Sequence, residues 1–221
     1  IMAKGEDAAV SGSRLRQAFA FDGTGPLGAL LTKGYRIMRI VIASDIYGTT
    51  PAVQTLADNL DRQAVVLSPW DGVGCPFATE QEAYAAFMAG EGIAGYAARI
   101  AAAAGQAPAF LVGFSVGATA IWLHTAGAGC HPASRAVLFY GSRIRCHLDV
   151  RPRCRVRAIF AAQEAAFDPR DIASQLVSDT VAVHIEPEAA HGFMNPLSPG
   201  YDAALERTYV KIMAQEVGRY L

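Results

Sequence analysis

The stretch Phe110-Leu111-Val112-Gly113-Phe114-Ser115-Val116-Gly117-Ala118 is where this chain's residues could do chemistry. An apolar run enters Gly-x-Ser-x-Gly and leaves it through a helix-like segment to about Gly127. A serine on a sharp strand-to-helix turn is held in a strained backbone conformation with its hydroxyl exposed, which suits a nucleophile. Gly113 and Gly117 remove side chains that would clash where backbone crosses backbone. Ser115 would stand at a helix N-terminus, where the N–H of Val116 has no helical acceptor and is free to bind a developing oxyanion.

A serine nucleophile needs a base, and the base needs an acid behind it. For this kind of elbow the chain order is Ser, then Asp or Glu, then His. Of the five histidines, His124, His131 and His147 come too early, and His184 lies inside an apolar run as a packed or edge-facing side chain. His191, in Ala189-Ala190-His191-Gly192-Phe193, follows the last strand pattern and precedes the last helix pattern, which makes it the expected base. Two acids stand ahead of it in Ala161-Ala162-Gln163-Glu164-Ala165-Ala166-Phe167-Asp168-Pro169. Glu164 is close to the end of a strand pattern. Asp168 precedes Pro169 and could serve as a helix cap. Glu164 is the preferred acid and Asp168 the alternative.

These residues need elements to position them. From Met38 onward, short apolar, often β-branched runs alternate with helical stretches. The strand candidates are Ile40–Ala43, Ala64–Leu67, Ala109–Gly113, Ala136–Tyr140, Val156–Ala161 and Val181–Ile185. Helices are expected over 51–61, 80–104, 116–127, 169–177 and 202–220. Gly90 and Gly92 leave the second helix either whole or broken in two, because each glycine inside a helix costs about 1 kcal/mol. Alternating β and α units imply an open, mostly parallel sheet with helices on both faces. Ligands in such folds sit at the carboxyl ends of the strands, where Ser115 and His191 would both fall. Residues 1–37 lack clear periodicity and read as an N-terminal extension or flexible leader, with Asp22-Gly23-Thr24-Gly25 as a turn. Residues 38–221 read as a single α/β domain.

Composition narrows the function. Hydrophobic residues make up 52% of the 221 residues and the net charge is −1, so a folded core is expected and neither nucleic acid nor anionic membrane is favoured as a partner. There is no 20-residue apolar run and no signal-peptide pattern, and this points to a cytoplasmic protein. Cys75, Cys130, Cys146 and Cys154 contain no Cys-x-x-Cys pair, so thiols are expected rather than a zinc site. No metal or cofactor is implied. Six arginines fall between Arg143 and Arg157, and most read as a solvated approach to a strand. Arg143, just past a likely sheet edge, is a candidate contact for a substrate carboxylate.

Ile40-Val41-Ile42-Ala43-Ser44-Asp45-Ile46-Tyr47-Gly48 offers a competing nucleophile. A strand running into Asp-x-Tyr-Gly-Thr suits the aspartate of a haloacid-dehalogenase-like hydrolase or phosphatase. That chemistry also needs a lysine ahead of a later acidic cluster. The lysines are Lys4, Lys33 and Lys211, and none fits. A non-catalytic binding protein built on the same fold is the other alternative.

Taken in order, Asp45-Ile46-Tyr47-Gly48, the elbow Gly113–Ala118, Phe139-Tyr140-Gly141 and Ala190-His191-Gly192-Phe193 resemble the dienelactone hydrolase family of α/β-hydrolases over roughly residues 39–220. The resemblance implies an α/β-hydrolase fold with Ser115 as nucleophile, His191 as base and Glu164 as acid. It also implies that the N–H of Ile46 joins that of Val116 as oxyanion donor. Asp45 and Tyr47, on the loop beside the site, join Arg143 as candidate substrate contacts. The expected substrate is a small carboxylic ester, thioester or lactone. The chain departs from the family where Ser115 replaces the usual cysteine, where Asp45 stands in place of a glutamate, and where the acid is Glu164 rather than an aspartate.

Overall fold

The computed structural model describes residues 38–72 and 74–220. The leader and its Asp22–Gly25 turn lie outside the described residues. The described residues form one compact unit. In chain order its elements are β1 (Arg39–Ala43), α1 (Pro51–Leu60), β2 (Val65–Leu67), α2 (Glu80–Ala89), α3 (Gly92–Ala104), β3 (Ala109–Phe114), α4 (Val116–Ala126), β4 (Arg135–Phe139), β5 (Arg155–Gln163), α5 (Arg170–Leu176), β6 (Val181–Ala190) and α6 (Ala203–Val217). A 3-10 turn, Ser142–Cys146, follows β4.

The strands form one six-stranded sheet in the order β2-β1-β3-β4-β5-β6, and every pairing is parallel. The interior strands β1, β3, β4 and β5 are buried almost end to end. Such strands need apolar residues on both faces, which is why they read as continuous apolar runs instead of alternating ones. Alternate side chains then serve two cores. Val41, Leu111, Leu138 and Phe160 pack with α2, α3, α4 and α5. Phe139 faces the other way, edge-on to Phe193 and to Tyr209 of α6, with centroids 6.1 and 5.1 Å apart.

Local chemistry fixes the helix boundaries. Pro51 opens α1 behind Thr50, whose hydroxyl accepts the Val53 N–H at 3.2 Å; proline suits the first turn because its missing N–H would have no helical partner there. Thr79 and Glu82 form a reciprocal capping box at the start of α2, satisfying two donors that the helix cannot. The 80–104 region is two helices, parted at Gly90–Gly92, where Gly92 takes φ +61°. Strand β6 runs on to Ala190, five residues past the Ile185 expected from its apolar run, because Gln163 of β5 continues to pair with it across a bulge. Among the described residues no helix is long and apolar enough to cross a membrane.

Candidate active site

Strand β3 delivers Ser115 into a backbone conformation of φ +48°, ψ −110°. This is costly for a residue with a Cβ and persists only where the surroundings enforce it. Here they do. The Ser115 N–H donates to the Phe139 carbonyl at 3.0 Å, and its own carbonyl receives the Thr119 N–H at 3.1 Å. The flanking glycines are set by contact. A Cβ on Gly117 would lie 2.3 Å from the Ala43 carbonyl oxygen, and one on Gly113 would lie 2.6 Å from the Ala118 Cα. The first turn of α4 therefore presses directly on the end of β1, and the Ser44–Gly48 loop is placed beside the elbow.

His191 follows β6 immediately. Its Nε2 lies 3.0 Å from the Ser115 Oγ. Its Nδ1 faces both oxygens of Glu164, at 2.8 and 3.1 Å. In the tautomer that lets Nε2 accept the serine proton, Nδ1–H donates to the carboxylate. The Glu164 side chain is only 2% exposed, against 30% for His191. Burial pushes the imidazole pKa down, but the Glu164 hydrogen bond and charge, with Glu80 and Asp45 behind them, outweigh it and raise the value above 6.5. An imidazole so supported is a better proton acceptor and a more stable imidazolium. Asp168 stands apart: it is exposed, caps the Arg170 N–H and pairs with the Arg170 guanidinium at 3.2 Å.

Val116 is the first residue of α4, and Ile46 lies in the loop after β1; both are buried. Among the described residues neither N–H has a hydrogen-bond acceptor. Tyr47 is half-buried, and its hydroxyl donates to the Glu80 carboxylate at 3.3 Å. Arg143 sits in the 3-10 turn after β4; its Nε is buried without a hydrogen bond and no described carboxylate pairs with it. Asp45 is held from two sides. It is 5% exposed, with one carboxylate oxygen accepting the Tyr47 N–H at 2.9 Å and the other the Asn195 side-chain amide at 2.8 Å. Its pKa is raised to about 6 because burial disfavours the charge more than the Asn195 and Tyr47 bonds, together with the nearby His191, favour it. The arginine run is not a continuous array either: Arg153 and Arg155 are exposed, whereas Arg157 is buried against Glu216 at 3.4 Å.

Two neighbours of the site went unassigned in the sequence. Tyr140 takes φ +40° at the end of β4 and lays its ring edge-on to His191, with centroids 5.0 Å apart; its place in Phe139-Tyr140-Gly141 was the available signal. Asn195 carried no signal in the chain. Among the described residues no group of three His, Cys, Asp or Glu side chains is arranged to hold a metal ion.

Comparison with known proteins follows the same lines. A sequence model described as the dienelactone hydrolase family matches residues 82–220. A Bacillus subtilis (strain 168) relative, uncharacterized protein YczH, is 37% identical over 99 residues, which is 43% of this chain and 47% of that protein. The match thus spans about half the length of that relative. Among solved structures, a Klebsiella pneumoniae subsp. pneumoniae MGH 78578 protein provisionally described as a dienelactone hydrolase superposes with TM-score 0.63 at 16% identity, over 86% of this chain and 90% of that one. P91, described as a dienelactone hydrolase-like promiscuous phosphotriesterase from metagenomic libraries, superposes with TM-score 0.59 at 19% identity, over 85% and 88% of the two chains. At these identities the structures share the fold.

Proposed function

Since this chain belongs to the dienelactone hydrolase family, we propose that it is a serine hydrolase of a small carboxylic ester, thioester or lactone, acting through Ser115, His191 and Glu164. The observation that carries the reading is the unbroken hydrogen-bond chain from the Ser115 hydroxyl through both nitrogens of His191 to a buried carboxylate. A nucleophile, a base and an orienting acid in hydrogen-bond reach are the arrangement acyl transfer requires.

In this mechanism the Ser115 Oγ attacks the carbonyl carbon while its proton passes to His191 Nε2. The carbonyl π electrons move onto oxygen, which the N–H groups of Val116 and Ile46 receive; each such donor is worth about 10²–10³ in rate. Glu164 stabilises the imidazolium through Nδ1–H. Collapse of the intermediate breaks the bond to the leaving group, which takes the proton from Nε2 and departs. A water then repeats the sequence on the acyl-enzyme, giving up its proton to His191, and the acid is released from Ser115. The substrate is a small molecule, and no metal or cofactor enters any step. Arg143 is the basic group from which a substrate carboxylate would draw a contact, and Tyr47 lines the oxyanion side. The cytoplasm is the compartment this reading assigns, with all four cysteines as thiols.

A panel of p-nitrophenyl esters combined with labelling by a serine-directed phosphonate tests the proposal. Wild type should turn over at least one ester and take the label, and Ser115→Ala should lose both. Turnover retained in Ser115→Ala, or absence of both signals in wild type, overturns it.

A further inference from the structure

Asp45 and Asn195 are 150 residues apart in sequence, yet both are buried and their side chains meet at 2.8 Å. They belong to the loops after β1 and β6. Three strands separate β1 from β6, so at about 4.8 Å per strand the two strand ends stand about 19 Å apart. The chain beyond His191 folds back over the sheet edge to close that distance. Its path is fixed: the Asn195 N–H donates to the Gly192 carbonyl at 2.8 Å and the Asn195 Oδ1 accepts the Leu197 N–H at 2.9 Å. With both functions of its amide engaged, Asn195 presents one fixed donor to Asp45.

On the other side, Asp45 controls a peptide unit that matters to the reaction. Its carbonyl accepts the Gly48 N–H at 3.0 Å and the Ser44 hydroxyl at 3.2 Å. Its carboxylate accepts the Tyr47 N–H, and the Ile46 carbonyl accepts the Trp70 indole N–H at 2.6 Å. A peptide unit is planar, with C=O and N–H opposed. Fixing the Asp45 carbonyl therefore fixes the direction of the Ile46 N–H. Every one of these bonds sits on the loop that carries an oxyanion donor, and the Asn195 bond to the Asp45 carboxylate ties that loop to the one that carries the base.

We propose that Asp45 and Asn195 are positioning residues that latch the Ile46 loop to the His191 loop, so that the oxyanion donor and the base keep their separation as the reaction proceeds. The inference rests on the proposed hydrolase mechanism for its consequence, but the latch itself is a structural claim. It assigns Asp45 a role through backbone geometry, with no contact to substrate.

The hydrogen-bond inventory provides a test. Asp45 offers two acceptors to two donors. In Asp45→Asn one of them becomes a donor and faces the Asn195 amide N–H. In Asn195→Asp two carboxylates face each other. In the double exchange, Asp45→Asn with Asn195→Asp, the amide on the β1 loop donates to the carboxylate on the β6 loop, and the Tyr47 and Leu197 N–H groups keep their acceptors. The assays are p-nitrophenyl ester kinetics and amide hydrogen exchange, read by mass spectrometry, of the peptide spanning residues 46–48. Each single variant should lose about tenfold or more in kcat with KM within about threefold, the pattern of a displaced oxyanion donor, and its 46–48 amides should exchange faster. The double exchange should recover both. Single variants with wild-type kcat and exchange, or a double exchange no better than the worse single variant, overturn the latch. If wild type hydrolyses no ester, the mechanism fails and the exchange data alone decide the latch.

Discussion

Replacing Glu164 by Gln keeps the size of the acid and an acceptor for Nδ1–H but removes its charge. His191 faces that charge at 2.8 Å, and the Glu164 side chain is 2% exposed, so water screens the pair poorly. A unit charge pair at about 4 Å and an effective dielectric of about 20 is worth about 4 kcal/mol. That interaction is complete only when the imidazole is protonated, as it is in the transition state. Removing it should raise the barrier by about 3–4 kcal/mol and lower kcat by about 10²–10³. The pH profile provides an independent reading. The base works when neutral, so activity rises with pH through the His191 pKa. In wild type that value lies above 6.5 because Glu164, Glu80 and Asp45 together outweigh burial. With the Glu164 charge gone, burial gains weight and the acidic limb must move to lower pH even as the plateau falls. The measurement is kcat/KM for a p-nitrophenyl ester from about pH 5 to about pH 9, beside Asp168→Asn as a control. Asp168 is exposed and paired with Arg170, so its variant should stay within about twofold of wild type. A Glu164→Gln plateau within about threefold of wild type, a limb displaced to higher pH, or a larger loss in Asp168→Asn would refute the reasoning.

Two further outcomes follow from contacts around the elbow. Gly117→Ala would drive a Cβ to 2.3 Å from the Ala43 carbonyl oxygen and 2.6 Å from that of Ser44. Both are backbone atoms that cannot swing aside, so the cost should reach at least about 3 kcal/mol, the upper part of the overpacking range. At about 2–4 °C per kcal/mol the melting temperature should fall by about 6–12 °C; calorimetry showing an unchanged midpoint would contradict the packing argument. Glu80→Gln removes an exposed carboxylate that raises the His191 pKa and receives the Tyr47 hydroxyl. The acidic limb should move down by less than in Glu164→Gln, and an anionic ester should gain on a neutral one. Both effects should fade in high salt, and profiles identical to wild type at low ionic strength would exclude a role for this charge.

The parts of the site that were legible in the sequence are those whose cause is local. Gly113, Ser115 and Gly117 read as an elbow because a Cβ at either glycine would strike backbone that follows or crosses the turn. His191 and Glu164 read as partners because each closely follows a strand, β6 and β5, and parallel strands bring their carboxyl ends to one edge. The break at Gly90–Gly92 stayed open because a propensity cost of about 1 kcal/mol per glycine is comparable to what packing recovers; the positive φ of Gly92 decided it. The end of β6 was placed too early because the residues past Ile185 lose the apolar pattern while keeping their backbone partner on β5.

Asp45 shows where local reasoning stops. An aspartate at the end of a first apolar strand has the same chemistry whether it attacks a substrate, contacts one or holds a loop. What separates the three is the surroundings of its carboxylate. Those surroundings come from Asn195, a residue whose neighbours His191-Gly192-Phe193 are recognisable but which has no pattern of its own. A buried polar pair is chosen by geometry across the whole sheet and leaves no periodicity in either segment. Its presence also constrains what Asp45 can do. Both oxygens already accept a hydrogen bond, and the group is 5% exposed, so turning the carboxylate toward a substrate would break the Tyr47 or Asn195 bond. Breaking a bond to a buried charged group costs about 1.5–3 kcal/mol and leaves a donor unpaired. A nucleophile or a substrate contact would be poorly served by that penalty, whereas a latch depends on it.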